Sequence, residues 1–203
     1  MSARGGERSA SASAPLVGVL ALQGDFEAHG RVLQRLGARV REVRVQADLD
    51  GLQALVLPGG ESTTMTLGIE REGLAGPLRD LLADGLPTLG SCAGLIMLDR
   101  EHLGAMDIRA SRNAFGRQIR SFESDLELAT IAGGPMRAVF IRAPWIAEHG
   151  ESVQVLASVD GHAVAARQGA MLAVAFHSEL TGDDRLHEWL LERVAARARG
   201  ERE

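Results

Sequence analysis

From Leu16 to Leu22 every position is apolar or glycine (LVGVLAL), and the run stops at Gln-Gly-Asp. A continuous apolar run of this length is the mark of a strand covered on both faces, as in a parallel sheet. Val32, Leu33 and Leu36 then recur at helical spacing, with Asp25 as the expected cap and Gly37 as the stop. Val40 to Val45 alternates, predicting an outer strand, and Ala54 to Leu57 predicts a second buried one, stopped by Pro58. Helical periodicity resumes from Ser62 through Leu82, with breaks expected near Gly73 and Gly76-Pro77. Pro87 to Ser91 adds a strand that leads through Cys92 into an apolar helix, AGLIML.

From Ile108 onward the texture becomes strand-like. Segments are expected at Gln118 to Phe122, Leu126 to Ala129, Ala138 to Arg142, Val153 to Val159, Ala163 to Arg167 and Met171 to Phe176, with a hairpin at Gln168-Gly169. Asp183 is the expected cap of a last amphipathic helix, in which Leu186, Trp189, Leu190 and Val194 share a face, ending near Gly200. The pattern predicts an α/β fold with a mostly parallel sheet and extra antiparallel strands in the C-terminal half.

Composition narrows the picture. The chain has 203 residues, which fits one domain over 15–200, behind a small, polar tail over 1–14 that is expected to be disordered and carries no apolar secretory core. Aromatics are 3% of the residues, with no Tyr, so aliphatic side chains and Ala must build the core. A net charge of -5 without a basic stripe argues against nucleic acid as a partner. No run reaches membrane-spanning length, and the single cysteine excludes an internal disulfide, which suits a reducing cytoplasm.

That cysteine, Cys92, stands between Gly90 and Gly94 where a buried strand turns into a helix, the layout of a nucleophile elbow. Such a turn strains its central residue and needs small neighbours, and the N–H of Ala93 is then placed to bind a developing oxyanion. A free cysteine is otherwise a small buried hydrophobe, so the pattern alone does not choose. Near the C-terminus an apolar strand ends in His177-Ser178-Glu179, and residues two apart in extended chain point to one side, so the carboxylate is expected to hold the imidazole from behind. A thiol, an imidazole and a carboxylate make a nucleophile, base and orienter. The other five histidines (His29, His102, His149, His162, His187) lack such company and read as surface or packing residues. Pro58-Gly59-Gly60-Glu61-Ser62 follows a buried strand and opens a helix. Its glycines suit an oxyanion hole, while a plain tight turn capped by Ser62 is the alternative. Neither a Walker-type loop nor a dinucleotide fingerprint is present.

Together, GVLALQGD (Gly18 to Asp25), LPGGESTTM (Leu57 to Met65), GSCAGLI (Gly90 to Ile96), RNAFGRQ (Arg112 to Gln118), FIRAPW (Phe140 to Trp145) and VAARQG (Val164 to Gly169) resemble the glutaminase subunits of pyridoxal 5'-phosphate synthase, within the class I glutamine amidotransferases. The resemblance implies a three-layer, flavodoxin-like α/β fold and a Cys92, His177, Glu179 triad that hydrolyses L-glutamine. It further implies a glutamine site built from Gly59, Gly60, Glu61, Arg112, Ile141 and Arg142, with Gly60 and Ala93 as oxyanion donors. The implied partner is the synthase subunit that consumes the ammonia, and the chain itself would carry no metal or cofactor. Other readings of the same residues are a glutaminase subunit serving histidine, purine or aminobenzoate synthesis, or a silent scaffold for the synthase. Two departures from the family pattern stand out: Ser178 replaces a usual proline, and the stretch from Leu98 to Ile108 is several residues short.

Overall fold

The computed structural model describes residues 14–112 and 121–201. The expected tail up to residue 13, the RNAFGRQ block beyond Arg112 and the first part of the strand expected from Gln118 lie outside them. In chain order the elements are β1 (Leu16–Leu20), α1 (Phe26–Arg35), β2 (Arg39–Val43), β3 (Ala54–Leu57), α2 (Ser62–Arg71), α3 (Ala75–Ala83), β4 (Thr88–Ser91), α4 (Ala93–Leu98) and β5 (Ile108–Ser111). They continue with β6 (Ser121–Leu126), β7 (Met136–Ile141), β8 (Trp145–His149), β9 (Gln154–Val159), β10 (His162–Gln168), β11 (Met171–Val174) and α5 (Arg185–Ala198).

Nine strands form one sheet in the order β2-β1-β3-β4-β11-β10-β8-β5, with β9 also on β10. Pairs from β2 to β11 are parallel, and those beyond β11 antiparallel. The central strands are apolar throughout because both faces are covered; β3 and β4 are buried at every position. Helices α1 and α5 adjoin one another through Arg35 and Asp184, while α2 packs against α4. Opposite directions of travel along the sheet put the crossover helices on opposite faces.

Several expectations need correction. Asp25 precedes α1 but its side chain makes no capping bond. Glu61, not Ser62, caps α2. Asp184 precedes α5, and the Asp183 carboxylate instead bonds the backbone and guanidinium of Arg185. Gly76-Pro77 does not break a helix but sits in the first turn of α3, where a missing N–H costs nothing. Leu126 to Ala129 is no separate strand; β6 ends at Leu126. β11 stops at Val174, before Phe176. The strands β5 and β8 were not expected: both are short and polar on their exposed side, as strands beyond the covered centre of a sheet are. The Gln168-Gly169 hairpin does form, and Asp160-Gly161 makes a second one between β9 and β10 with both residues at positive φ.

β6 and β7 form a separate two-stranded ribbon. Scarce aromatics concentrate where it meets the sheet: Phe122 stacks on Phe140 at 4.4 Å, and Phe140 meets Phe176 edge-on at 5.6 Å. Such pairs add about 0.5–1.5 kcal/mol each beyond their buried area. No helix among the described residues is long and apolar enough to cross a membrane.

Candidate active site

Cys92 links β4 to α4 with φ 48° and ψ -103°, a conformation that costs about 1–3 kcal/mol and persists only where the surroundings impose it. The flanking glycines allow this. A methyl group on Gly90 would meet the Gly94 carbonyl oxygen at 2.7 Å, and one on Gly94 would run into the backbone of Leu57 in β3. The Cys92 N–H donates to the Val174 carbonyl at 2.8 Å, tying the turn to the end of β11. The thiol side chain is nearly enclosed, its residue 6% exposed.

Beyond β11 the chain bends and reaches His177, whose N–H donates to Val139 of β7 at 2.9 Å. The Cε1 edge of its ring abuts Gly59: a methyl group there would sit 2.9 Å from Nδ1 and closer still to Cε1. Nδ1 is 2.7 Å from the Glu179 Oε1. An ionised carboxylate only accepts, so Nδ1 carries the proton and Nε2 is the nitrogen left for the thiol. The segment is a turn rather than extended chain; the N–H and hydroxyl of Thr181 donate to the Ser178 carbonyl and hold the geometry without proline. The Ser178 hydroxyl itself is buried without a partner.

Burial works against a charged His177, yet hydrogen bonds to Cys92 and Glu179, and the charges of both, outweigh it and raise its pKa from 6.5 to about 10. Burial likewise works against a charged Glu179, but the His177 bond and the His29 and His177 imidazoles hold it below its ordinary range. A protonated imidazole beside sulfur is the counter-charge that a thiolate nucleophile requires. Asp25, His177 and Glu179 bring metal-capable atoms within 4.8 Å of one another. His177 and Glu179 are bonded to each other, so the cluster is that pair with the exposed carboxylate of Asp25 beside it.

In front of the sulfur opens a cavity of about 290 Å³, whose walls include Gly60, Glu61, Ala93, Arg112, Ile141 and Arg142. The Gly59 carbonyl accepts from the Asp25 N–H at 3.2 Å, on the β1 side of the loop. In a planar trans peptide the Gly60 N–H points the opposite way, toward the side on which β4 and Cys92 lie. Gly60, at φ 149°, has Gln23 pressed against it, and the Gln23 Oε1 accepts from the Glu61 N–H at 2.7 Å. The Glu61 carboxylate accepts from the N–H groups of Thr64 and Thr63, which lowers its pKa to about 2. Glu61 therefore borders the cavity with its charge engaged in capping α2. Arg142 holds φ 46°, bringing it and Ile141 to the cavity mouth.

Two further groups escaped sequence reasoning. Gln23 secures the glycine loop; the sequence marked it only by its place after a buried strand and within the GVLALQGD block. The connection after α4 wraps around buried Asp99, which accepts from the N–H groups of Glu101, His102 and Ala110 and from His102 Nδ1 at 2.7 Å. His102 then offers Nε2 to Arg112 Nη2 at 3.1 Å, while Arg112 Nη1 donates to the Thr63 hydroxyl. An Asp and His three apart were legible in the sequence, but nothing local linked them to Arg112.

The model of the SNO glutamine amidotransferase family matches residues 19–196. The chain is 52% identical over 190 residues to the pyridoxal 5'-phosphate synthase subunit PdxT of Clavibacter michiganensis subsp. michiganensis, covering 89% of this chain and 91% of that one. It is 51% identical over 196 residues to the protein of the same name from Rhodococcus jostii, covering 89% and 97%. A crystal structure of a glutamine amidotransferase superposes with a TM-score of 0.82 at 45% identity, covering 88% of this chain and 98% of that one.

Proposed function

Since this chain belongs to the SNO glutamine amidotransferase family, we propose that it hydrolyses L-glutamine to L-glutamate and ammonia and delivers the ammonia to the synthase subunit that makes pyridoxal 5'-phosphate. The observation that carries the catalytic reading is the meeting of Cys92, His177 and Glu179 beside the paired glycines.

The Cys92 sulfur attacks the side-chain carboxamide carbon of glutamine. The oxyanion that forms is received by the N–H groups of Gly60 and Ala93, donors fixed before the charge appears. His177 passes a proton from Nε2 to the departing nitrogen, ammonia leaves, and a glutamyl thioester remains on Cys92. His177 then takes a proton from water, which attacks the thioester and releases glutamate. Glu179 keeps the ring in the tautomer that both steps use. Arg112, held by His102 and Thr63, supplies a planar, permanent cation suited to the substrate α-carboxylate, with Gly59, Glu61, Ile141 and Arg142 shaping the rest of the pocket. Residues 15–200 act as one catalytic unit, a reading supported by the continuous sheet behind the site. The single unpaired cysteine favours the cytoplasm as the compartment.

The test is glutamate release from glutamine by the chain together with its synthase partner. Cys92→Ala is expected to lower the rate by at least about 10³-fold, the scale of losing a nucleophile. A rate equal in the two proteins would overturn the assignment, and failure of a thiol-directed glutamine analogue to label Cys92 would favour a silent scaffold.

A further inference from the structure

Behind the triad lies a pair of imidazoles that the proposed reaction does not use. His29 on α1 and His187 on α5 are both 0% exposed, and His29 Nδ1 is 2.9 Å from His187 Nε2. The other nitrogen of His29, Nε2, is 3.0 Å from the hydroxyl of Ser91, the residue before the nucleophile, and 3.6 Å from the same Glu179 oxygen that holds His177. His187 Nδ1 is buried without a partner, and so is the second oxygen of Glu179.

These contacts select one arrangement of protons. With a proton on His29 Nδ1, His187 would have to accept at Nε2 and carry its own proton on Nδ1, a buried donor with no acceptor. The lone pair of His29 Nε2 would then face a carboxylate. With the proton on His187 Nε2, that donor is satisfied by His29 Nδ1, the unpartnered atom is a lone pair, and His29 turns an N–H toward Ser91 and Glu179. The second arrangement avoids both costs.

We infer that His29, locked in this tautomer by His187, is a positioning residue of the glutaminase: its N–H steadies the ionised Glu179 against His177 and pins the strand end that presents Cys92. The inference rests on the triad reading above. Burial lowers the pKa of His29, and lowers that of His187 to about 3, so at neutral pH the pair acts as dipoles and does not compete with His177 for the role of cation. The groups that bear on His29 are Glu179 and His177 beyond β11, Asp25 ahead of α1, Ser91 on β4 and His187 on α5.

The experiment compares wild type, His29→Leu, His29→Gln and His187→Leu in the complex with the synthase subunit, reading kcat and KM for glutamine, with thermal melting and NMR titration of His177 on the full chain. His29→Leu is expected to lose about 10–100-fold in kcat with KM nearly unchanged, the scale on which outer hydrogen-bond partners act. His177 should titrate at lower pH in that variant. His29→Gln, whose amide returns an N–H near the same place, should recover most of the loss. His187→Leu, which frees the tautomer without touching Glu179, should show a smaller fall, and it keeps the question open to decision if His29→Leu does not fold. Full kcat in folded His29→Leu or in His187→Leu, or equal losses in Leu and Gln with an unmoved His177 titration, overturns the inference. An inert wild type would instead defeat the glutaminase reading itself.

Discussion

A methyl group on residue 59 would stand in the space that the His177 ring occupies, so it is the ring, and not the backbone conformation, that requires the absence of a side chain there. Gly59→Ala is expected to fold, because the group it meets is a side-chain ring and not backbone, and to lose about 10²-fold or more in kcat, because displacements near 1 Å cost that much. Steady-state glutamine hydrolysis checks it, and unchanged kcat would contradict the placement of the ring. His177 also links stability to pH. Its folded pKa of about 10 lies above the ordinary 6.5, so its contribution is fully present below pH 6.5 and is lost as pH rises through 10. Urea midpoints of the wild type should therefore fall more steeply between those limits than those of His177→Gln. Parallel profiles would show that the imidazole gains nothing from its partners.

Among the elements, the connection between α4 and β5 is the one that holds Arg112 at the cavity wall. It folds around Asp99 and delivers His102 to the guanidinium of Arg112. Losing one hydrogen bond to a charged group costs about 1.5–3 kcal/mol when it is buried and less at a rim, so His102→Ala is expected to raise KM for glutamine several-fold and leave kcat within a factor of about two. A fall in kcat at constant KM would place His102 in the chemistry instead. The capping of α2 by Glu61 follows the same logic: a side chain bordering the pocket is held still because the helix start needs its oxygens.

For the molecule as a whole, the β6–β7 ribbon is the support on which the base rests, through the Val139 to His177 bridge and the Phe122, Phe140, Phe176 stack. Phe140 is 1% exposed, and Phe140→Ala should cost about 3–5 kcal/mol. In a chain of this size that amounts to a melting temperature lower by on the order of 10 °C. Activity at a temperature where the variant is still folded should fall as well, since the bridge to His177 loses its backing. A stable variant with full activity would show the ribbon to be an ornament to the sheet.

The strand that becomes a helix at Cys92, the buried central strands and the apolar stripe of α5 were all legible in the sequence, because apolar period, glycine spacing and turn chemistry are local properties. So were Cys92, His177 and Glu179 as candidates, each marked by its neighbours along the chain. Only the tertiary structure decided which histidines outside the triad matter: His29 meets Ser91 across 62 positions of sequence and His187 across 158, and His102 meets Arg112 only because the intervening loop folds on a buried carboxylate. No residue's surroundings announce a partner that distant. A histidine on an amphipathic helix reads as packing until folding determines what it is packed against.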